Sequence, residues 1–146
     1  ILGTACVISV ILDSKKRVWV GTDKDGLYCY DFYTKAAKHL KDQYPSVIVS
    51  LAEDQKGRIW LGTYREGIGW VDPVTFQYHR VPFPQDPNLI VMDIAVGNDG
   101  YLWLGTMKHG IVKMDPNDGR VLAIYKMKAG ADKNRKMNCI TNDYVS

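Results

Sequence analysis

The sequence predicts an all-β protein: a partial β-propeller of about three four-stranded antiparallel blades, followed by the start of a fourth. Three observations carry this. A stretch Trp-(Val/Leu)-Gly-Thr occurs three times, starting at Trp19, Trp60 and Trp103. The copies lie 41 and 43 residues apart, counted from Trp19 to Trp60 and from Trp60 to Trp103, and an internal period of this length points to a solenoid or propeller. Each interval holds four short apolar or β-branched runs separated by polar, Gly-prone turns, which is the pattern of a propeller blade.

The runs follow in order. In the first repeat, residues 7–13 lead through a polar turn at 14–17 into the Trp19 stretch, and the pair reads as a hairpin. The equivalents are 47–54 with turn 55–58, and 90–96 with turn 97–101. A third run opens at Gly26, Gly67 or Gly110 and closes at Asp31, Asp72 or Asp115, with Pro following in the last two copies. A weaker fourth run spans 37–40, 76–81 and 120–125. Residues 32–44 contain helix-favouring Ala36, Ala37 and Leu40, but the repeat frame requires a strand there. The segment 82–87 (PFPQDP) could be read as a polyproline ligand; its place in the frame makes it a stiff inter-blade loop. The blade repeats are therefore about 7–46, 47–88 and 89–136, with the start of a further repeat at 137–146, where Asp143 takes the place of Asp54.

Blades are covered on both flat faces by their neighbours. The Trp is expected to pack between blades, the Gly two residues later to admit a close neighbour, and the Thr to hydrogen-bond into the next turn. Asp13, Asp54 and Asp99 at the first turn, and Asp31, Asp72 and Asp115 at the third, suit local backbone hydrogen bonds. Propellers close with four to eight blades. Three would leave two apolar blade faces uncovered, so the chain is expected to be a fragment. Its partners would be the remaining blades of a parent propeller or a second copy of itself.

Composition bounds the chemistry. The 146 residues are 46% hydrophobic and 24% charged, with a formal net charge of +3. That charge is too small to argue for nucleic acid, and no apolar run is long enough to span a membrane. Cys6, Cys29 and Cys139 have no metal-ligand spacing and cannot all pair; Cys29 reads as a buried or half-buried free thiol. His39, His79 and His109 are spread one per blade without a second ligand at metal spacing. No nucleophile elbow or phosphate loop is present. No catalytic residue, metal site or cofactor is expected.

The loops that differ between blades are the places to look for binding. If the first strand is innermost, one face is built from two loop sets. The first set joins strands two and three: 23–25, 64–66 and 107–109. The second joins strand four to the next strand one: 43–44, 85–88 and 133–136. The first set keeps its length while its residues change, mixing aromatic, cationic and amide-capable groups. The candidate ligand residues are Lys24, Tyr64, Arg65, Asn88, Lys108, His109, Asn134 and Arg135. They suit a polar ligand such as a sugar, with Tyr64 stacking and Arg65 or Lys108 donating hydrogen bonds; the plainer reading is ordinary loop polarity.

The frame Val-x-x-Ile/Leu-x-x-Asp-x-x-Gly-x-Ile/Leu-Trp-Val/Leu-Gly-Thr, then Gly-Leu/Ile and Asp-Pro, resembles the two-component regulator propeller repeat. The match is close over residues 47–72, with Asp54, Gly57, Trp60, Gly62, Thr63 and Gly67 in place. It departs from the pattern at Lys16, where Gly is usual, and at Gly97, where Asp is usual. The resemblance implies a segment of the periplasmic sensor region of a hybrid two-component sensor histidine kinase, non-catalytic itself and responding to an oligosaccharide. The alternatives are a fragment of a propeller lyase or hydrolase, and a scaffold for protein partners.

Overall fold

The computed structural model describes residues 3–127 and 140–142, and all of the described regular structure is β. The first sheet contains β1 (Val7–Leu12), β2 (Arg17–Thr22), β3 (Leu27–Asp31) and β4 (Ala37–Leu40). The second contains β5 (Ile48–Glu53), β6 (Ile59–Thr63), β7 (Ile68–Val71) and β8 (Tyr78–Val81). The third contains β9 (Val91–Val96), β10 (Leu102–Thr106), β11 (Ile111–Met114) and β12 (Val121–Met127). Each sheet is an antiparallel meander in chain order. A short β13 (Ile140–Asn142) pairs with β12 at the outer edge of the third sheet. It is the described part of the 137–146 segment, where the sequence led us to expect a further repeat; Asp143 lies outside the described residues. The strand expected in place of a helix near residue 37 is β4.

The sheets stack as blades. β1 packs on β5 and β5 on β9, so the first strands are innermost. The hydrophobic cores lie between the sheets. One joins Trp19, Leu27 and Cys29 of the first blade to Ile48, Leu51, Ile59, Leu61 and Val71 of the second. The other joins Trp60 and Ile68 to Val91, Ile94, Leu102, Leu104, Val112 and Met114, with Phe83 and Leu89 of the connecting segment closing it. Phe83 thus anchors the Pro-rich loop in the core. Cys29 is a buried free thiol whose pKa burial pushes up to about 11.

The Trp is held by a polar device as well as by packing. Asp13 Oδ1 accepts the backbone N–H groups of Lys15 and Arg17, which closes the hairpin turn. Its Oδ2 accepts the Arg17 Nε–H at 2.9 Å and the indole N–H of Trp19 at 2.8 Å. Asp54 repeats every bond with Lys56, Arg58 and Trp60. Burial pushes the Asp13 carboxyl up, but the bonds from Trp19 and Arg17 outweigh it and hold the pKa below the ordinary 3.8. The same arginines reach the next blade: Arg17 Nη1 donates to the Pro73 carbonyl at 2.8 Å, and Arg58 Nη2 to Asn117 Oδ1 at 3.2 Å. The turn itself needs a left-handed residue, supplied by Gly57 and Gly100. Lys16 adopts the same region with φ 67°, at a cost of about 1–2 kcal/mol for a side chain with Cβ.

The third blade departs from this pattern. Gly97 and Tyr101 stand where Asp and Arg stand in the others, and the Asp99 carboxylate fills the space a Gly97 side chain would take. Lys113 lies over the Tyr101 and Trp103 rings at 4.8 and 5.0 Å. Trp103 is half-buried, whereas Trp19 and Trp60 are fully buried, because no described blade covers its face. At the other end, Val7 and Val10 are 46% and 56% exposed, while their equivalents Ile48 and Leu51 are 0% and 6%. Among the described residues, each flank of the stack therefore carries an open blade face with apolar side chains on it.

At the two described junctions the glycine of the Trp stretch sets the blade spacing. A Cβ on Gly21 would lie 2.8 Å from Ile48 Cγ2, and one on Gly62 would meet Ser50 Oγ of its own blade as well as lie 2.9 Å from Val91 Cγ1 and 3.0 Å from the Val91 carbonyl oxygen. A Cβ on Gly105 would meet nothing closer than 3.8 Å, and that contact is within its own blade. Gly62→Ala should therefore destabilise the chain by about 1–3 kcal/mol through overpacking. Gly105→Ala should stay within about 0.5 kcal/mol of the parent. Urea unfolding midpoints of the two variants check this.

Candidate functional site

The loops joining strands two and three, and those joining strand four to the next blade, emerge on one face. The Thr of each Trp stretch sets the first kind of loop. Thr63 Oγ1 donates to the Gly67 carbonyl at 2.7 Å and accepts the Glu66 N–H at 3.0 Å, and Thr22 and Thr106 do the same in their blades. Backbone bonds then fix the loop against the inner strand: Tyr64 N–H donates to the Val47 carbonyl, and Met107 N–H to that of Ile90. Gly67 N–H donates across the junction to the Leu89 carbonyl at 3.1 Å. That bond ties the second blade to the entry of the third.

Above this junction lies a cleft of about 450 Å³ lined by Tyr64, Arg65, Asp86, Asn88, Ile90, Met107 and Lys108. Its volume is within the range of small-molecule sites. Tyr64 and Met107 are 42% and 58% exposed, and Ile90 forms a buried apolar base. The Arg65 guanidinium carbon lies 5.2 Å from the Tyr64 ring centroid. Arg65 holds a left-handed backbone with φ 72°, which its counterparts Lys24 and Lys108 do not. A non-glycine residue there is uncommon, and such outliers concentrate at functional sites. Among the described residues neither Arg65 nor Lys108 has a carboxylate within ion-pair distance. Asp86, the carboxylate on the wall, is already engaged. Its Oδ2 lies 3.0 Å from His109 Nε2, and its Oδ1 accepts the Asn88 N–H at 3.0 Å. The His109 bond is the main influence holding the Asp86 carboxyl below its ordinary pKa, with the Asn88 N–H and the nearby Lys108 charge adding to it against a smaller desolvation effect.

Four of the residues singled out by sequence, Tyr64, Arg65, Asn88 and Lys108, meet in this cleft. His109 stands behind it, bonded to Asp86 and edge-on to Phe83 at 5.7 Å. Lys24 is exposed on the equivalent loop of the first blade, away from the cleft. Asn134 and Arg135 lie outside the described residues. Sequence reasoning missed Asp86, Ile90 and Met107. A signal was present in the unequal repeat spacing. Seven residues separate β4 from β5, nine separate β8 from β9, and the longer connection carries Asp86 and Asn88.

A second cleft, of about 180 Å³, opens on the opposite face between Asp54, Arg58, Asp99, Tyr101 and Asn117. Its Asp54, Arg58 and Asn117 side chains are spent on the turn and inter-blade bonds already described, and Gln55 Nε2 donates to the Asn98 carbonyl at 2.9 Å. No group of three or more His, Cys, Asp or Glu side chains among the described residues could hold a metal ion.

Residues 45–65 and 85–108 match the family model described as two component regulator propeller. These segments hold the second and third Trp stretches, each with its preceding hairpin strand. Among solved structures, the chain is similar to the extracellular domain of a hybrid two component system from B. thetaiotaomicron, with 21% identity and a TM-score of 0.67 over 79% of this chain. It spans only 16% of that protein's chain. A second extracellular domain of this kind from the same organism matches 94% of this chain at 16% identity and TM-score 0.67, and the chain spans 24% of it. Virginiamycin B lyase from Staphylococcus aureus matches 86% of the chain at 17% identity and TM-score 0.73, and the chain spans 42% of it. No curated protein sequence matches the chain. At these identities the likeness establishes the fold, a partial β-propeller.

The Asp86–His109 bond has a measurable signature. In His109→Ala the carboxyl pKa of Asp86 should rise toward the ordinary 3.8, since the main influence depressing it is removed. A carboxyl-carbon chemical-shift titration of parent and variant checks this; an unchanged midpoint would mean that the bond does not form in solution.

Proposed function

We propose that this chain, which carries two component regulator propeller repeats, is a ligand-sensing segment of the extracytoplasmic propeller of a hybrid two-component sensor histidine kinase and responds to carbohydrate. The observation that carries the reading is the cleft between the second and third blades. An exposed aromatic ring, an apolar base and several unpaired hydrogen-bond donors converge there on a propeller face, as a sugar's apolar and hydroxylated sides require. The periplasmic location and the kinase parent rest on the repeat family and on what the solved relatives are.

Calorimetric titration of the chain with a panel of oligosaccharides tests the reading. A binding member should lose about tenfold in affinity in Tyr64→Ala, the worth of an aromatic contact of about 1.4 kcal/mol. A panel in which nothing binds, or in which binding is indifferent to Tyr64, removes the cleft from consideration. A second reading, a propeller lyase or hydrolase fragment, is favoured by one feature: Asp86 on the cleft wall is bonded to His109 behind it, a pair that could exchange a proton. The same mixtures analysed for products decide between them, since turnover abolished in His109→Ala would support the enzyme.

The partner of the open blade faces forms part of this reading. Val7 and Val10 on one flank and Trp103 on the other are what further blades of a parent propeller, or a second copy, would cover. Light scattering after size exclusion should find this chain associating as its concentration rises; a monomer at all concentrations would contradict exposed faces that seek a partner.

A further inference from the structure

We propose that the cleft selects a saccharide bearing an oxyanion, a carboxylate or a sulfate, which Arg65 and Lys108 clamp while Tyr64 stacks on the ring. The proposal rests on the reading of this cleft as the ligand site and adds the charge class of the ligand. Charge is unevenly balanced on these loops. Their central residue is cationic in every blade: Lys24, Arg65 and Lys108. In the first blade the cation is flanked by Asp23 and Asp25. At the junction of the second and third blades the balance is broken. Glu66, the neighbour of Arg65, turns the other way and accepts the Ser46 N–H at 3.1 Å. His109, the neighbour of Lys108, replaces the acid of the first blade. The remaining carboxylate, Asp86, has both oxygens occupied by His109 and the Asn88 amide.

Two cations thus face one cleft against a single carboxylate, Asp86, which is outside ion-pair distance of both although close enough to Lys108 to feel its charge. The guanidinium of Arg65 lies over the Tyr64 ring, an arrangement that leaves the N–H fork at its edge for a bidentate carboxylate or sulfate. Lys108 adds a point charge from the facing blade. Arg65 reaches this place through a left-handed backbone that its counterparts avoid, so its placement is specific to this junction. Ile90 and Met107 supply apolar contact for the sugar ring.

The test is calorimetry on the full chain, with the near-UV circular dichroism of each variant compared to the parent. The probes are a panel of uronate and sulfated disaccharides, their neutral counterparts and inorganic sulfate. At least one anionic disaccharide should bind about tenfold or more tightly than its neutral counterpart, and Arg65→Gln and Lys108→Gln should each remove about tenfold of that affinity, as loss of a charge-assisted contact does. Neutral and anionic members that bind alike, both weakened in Tyr64→Ala, would overturn this proposal and leave the ligand-site reading standing. Inorganic sulfate binding as tightly as any disaccharide would overturn the saccharide part in favour of a simple anion site. A panel in which nothing binds would overturn both.

Discussion

At each described junction the inner strand of one blade lies directly against a glycine in the second strand of the blade before it. Ile48 presses on Gly21, and Val91 on Gly62, at distances that leave no room for a methyl group. Much of the stack follows from this approach. Blades that close can bury a whole indole between them, as Trp19 and Trp60 are buried. They also bring the arginine of one turn within reach of the next blade's outer turn, and they hold the loops on the other face near enough to enclose a cleft.

The buried indole would be a liability if its N–H had no partner. The Asp of the first hairpin turn solves this and at the same time closes the turn and neutralises the arginine. One carboxylate thus links local turn chemistry to inter-blade packing. The third blade shows what happens when the set changes together: Gly97 and Tyr101 replace Asp and Arg, and Lys113 and Asp99 gather around Tyr101 and Trp103.

The fold was legible in the sequence because packing constraints repeat with the blades, and a repeat is visible without an alignment. Trp, Gly and Thr were each read for the role they have, and so were the turn aspartates. The indole bond to Asp13 was not, because a spacing of six residues across a hairpin shows no sign of it until the strands pair. The cleft was only half legible. Tyr64, Arg65, Asn88 and Lys108 could be named because they break the repeat on loops of one face. Asp86 and Met107 sat in the same loops but mean nothing singly: Asp86 matters through His109, 23 residues away. The two extra residues between β8 and β9 were countable, yet only the folded chain says that they line a cavity.

The contacts between blades all run one way. Trp, Gly and Arg belong to the earlier blade, and the surfaces that receive them belong to the later one. The stack therefore has a direction, like a row of plugs and sockets, and its two open ends are unlike. Surfaces of this kind are not self-complementary, so neither end can pair with the same end of another copy through these contacts. If blades are added to this one through the same contacts, they must join head to tail, and such a series either curves round into a ring or keeps growing.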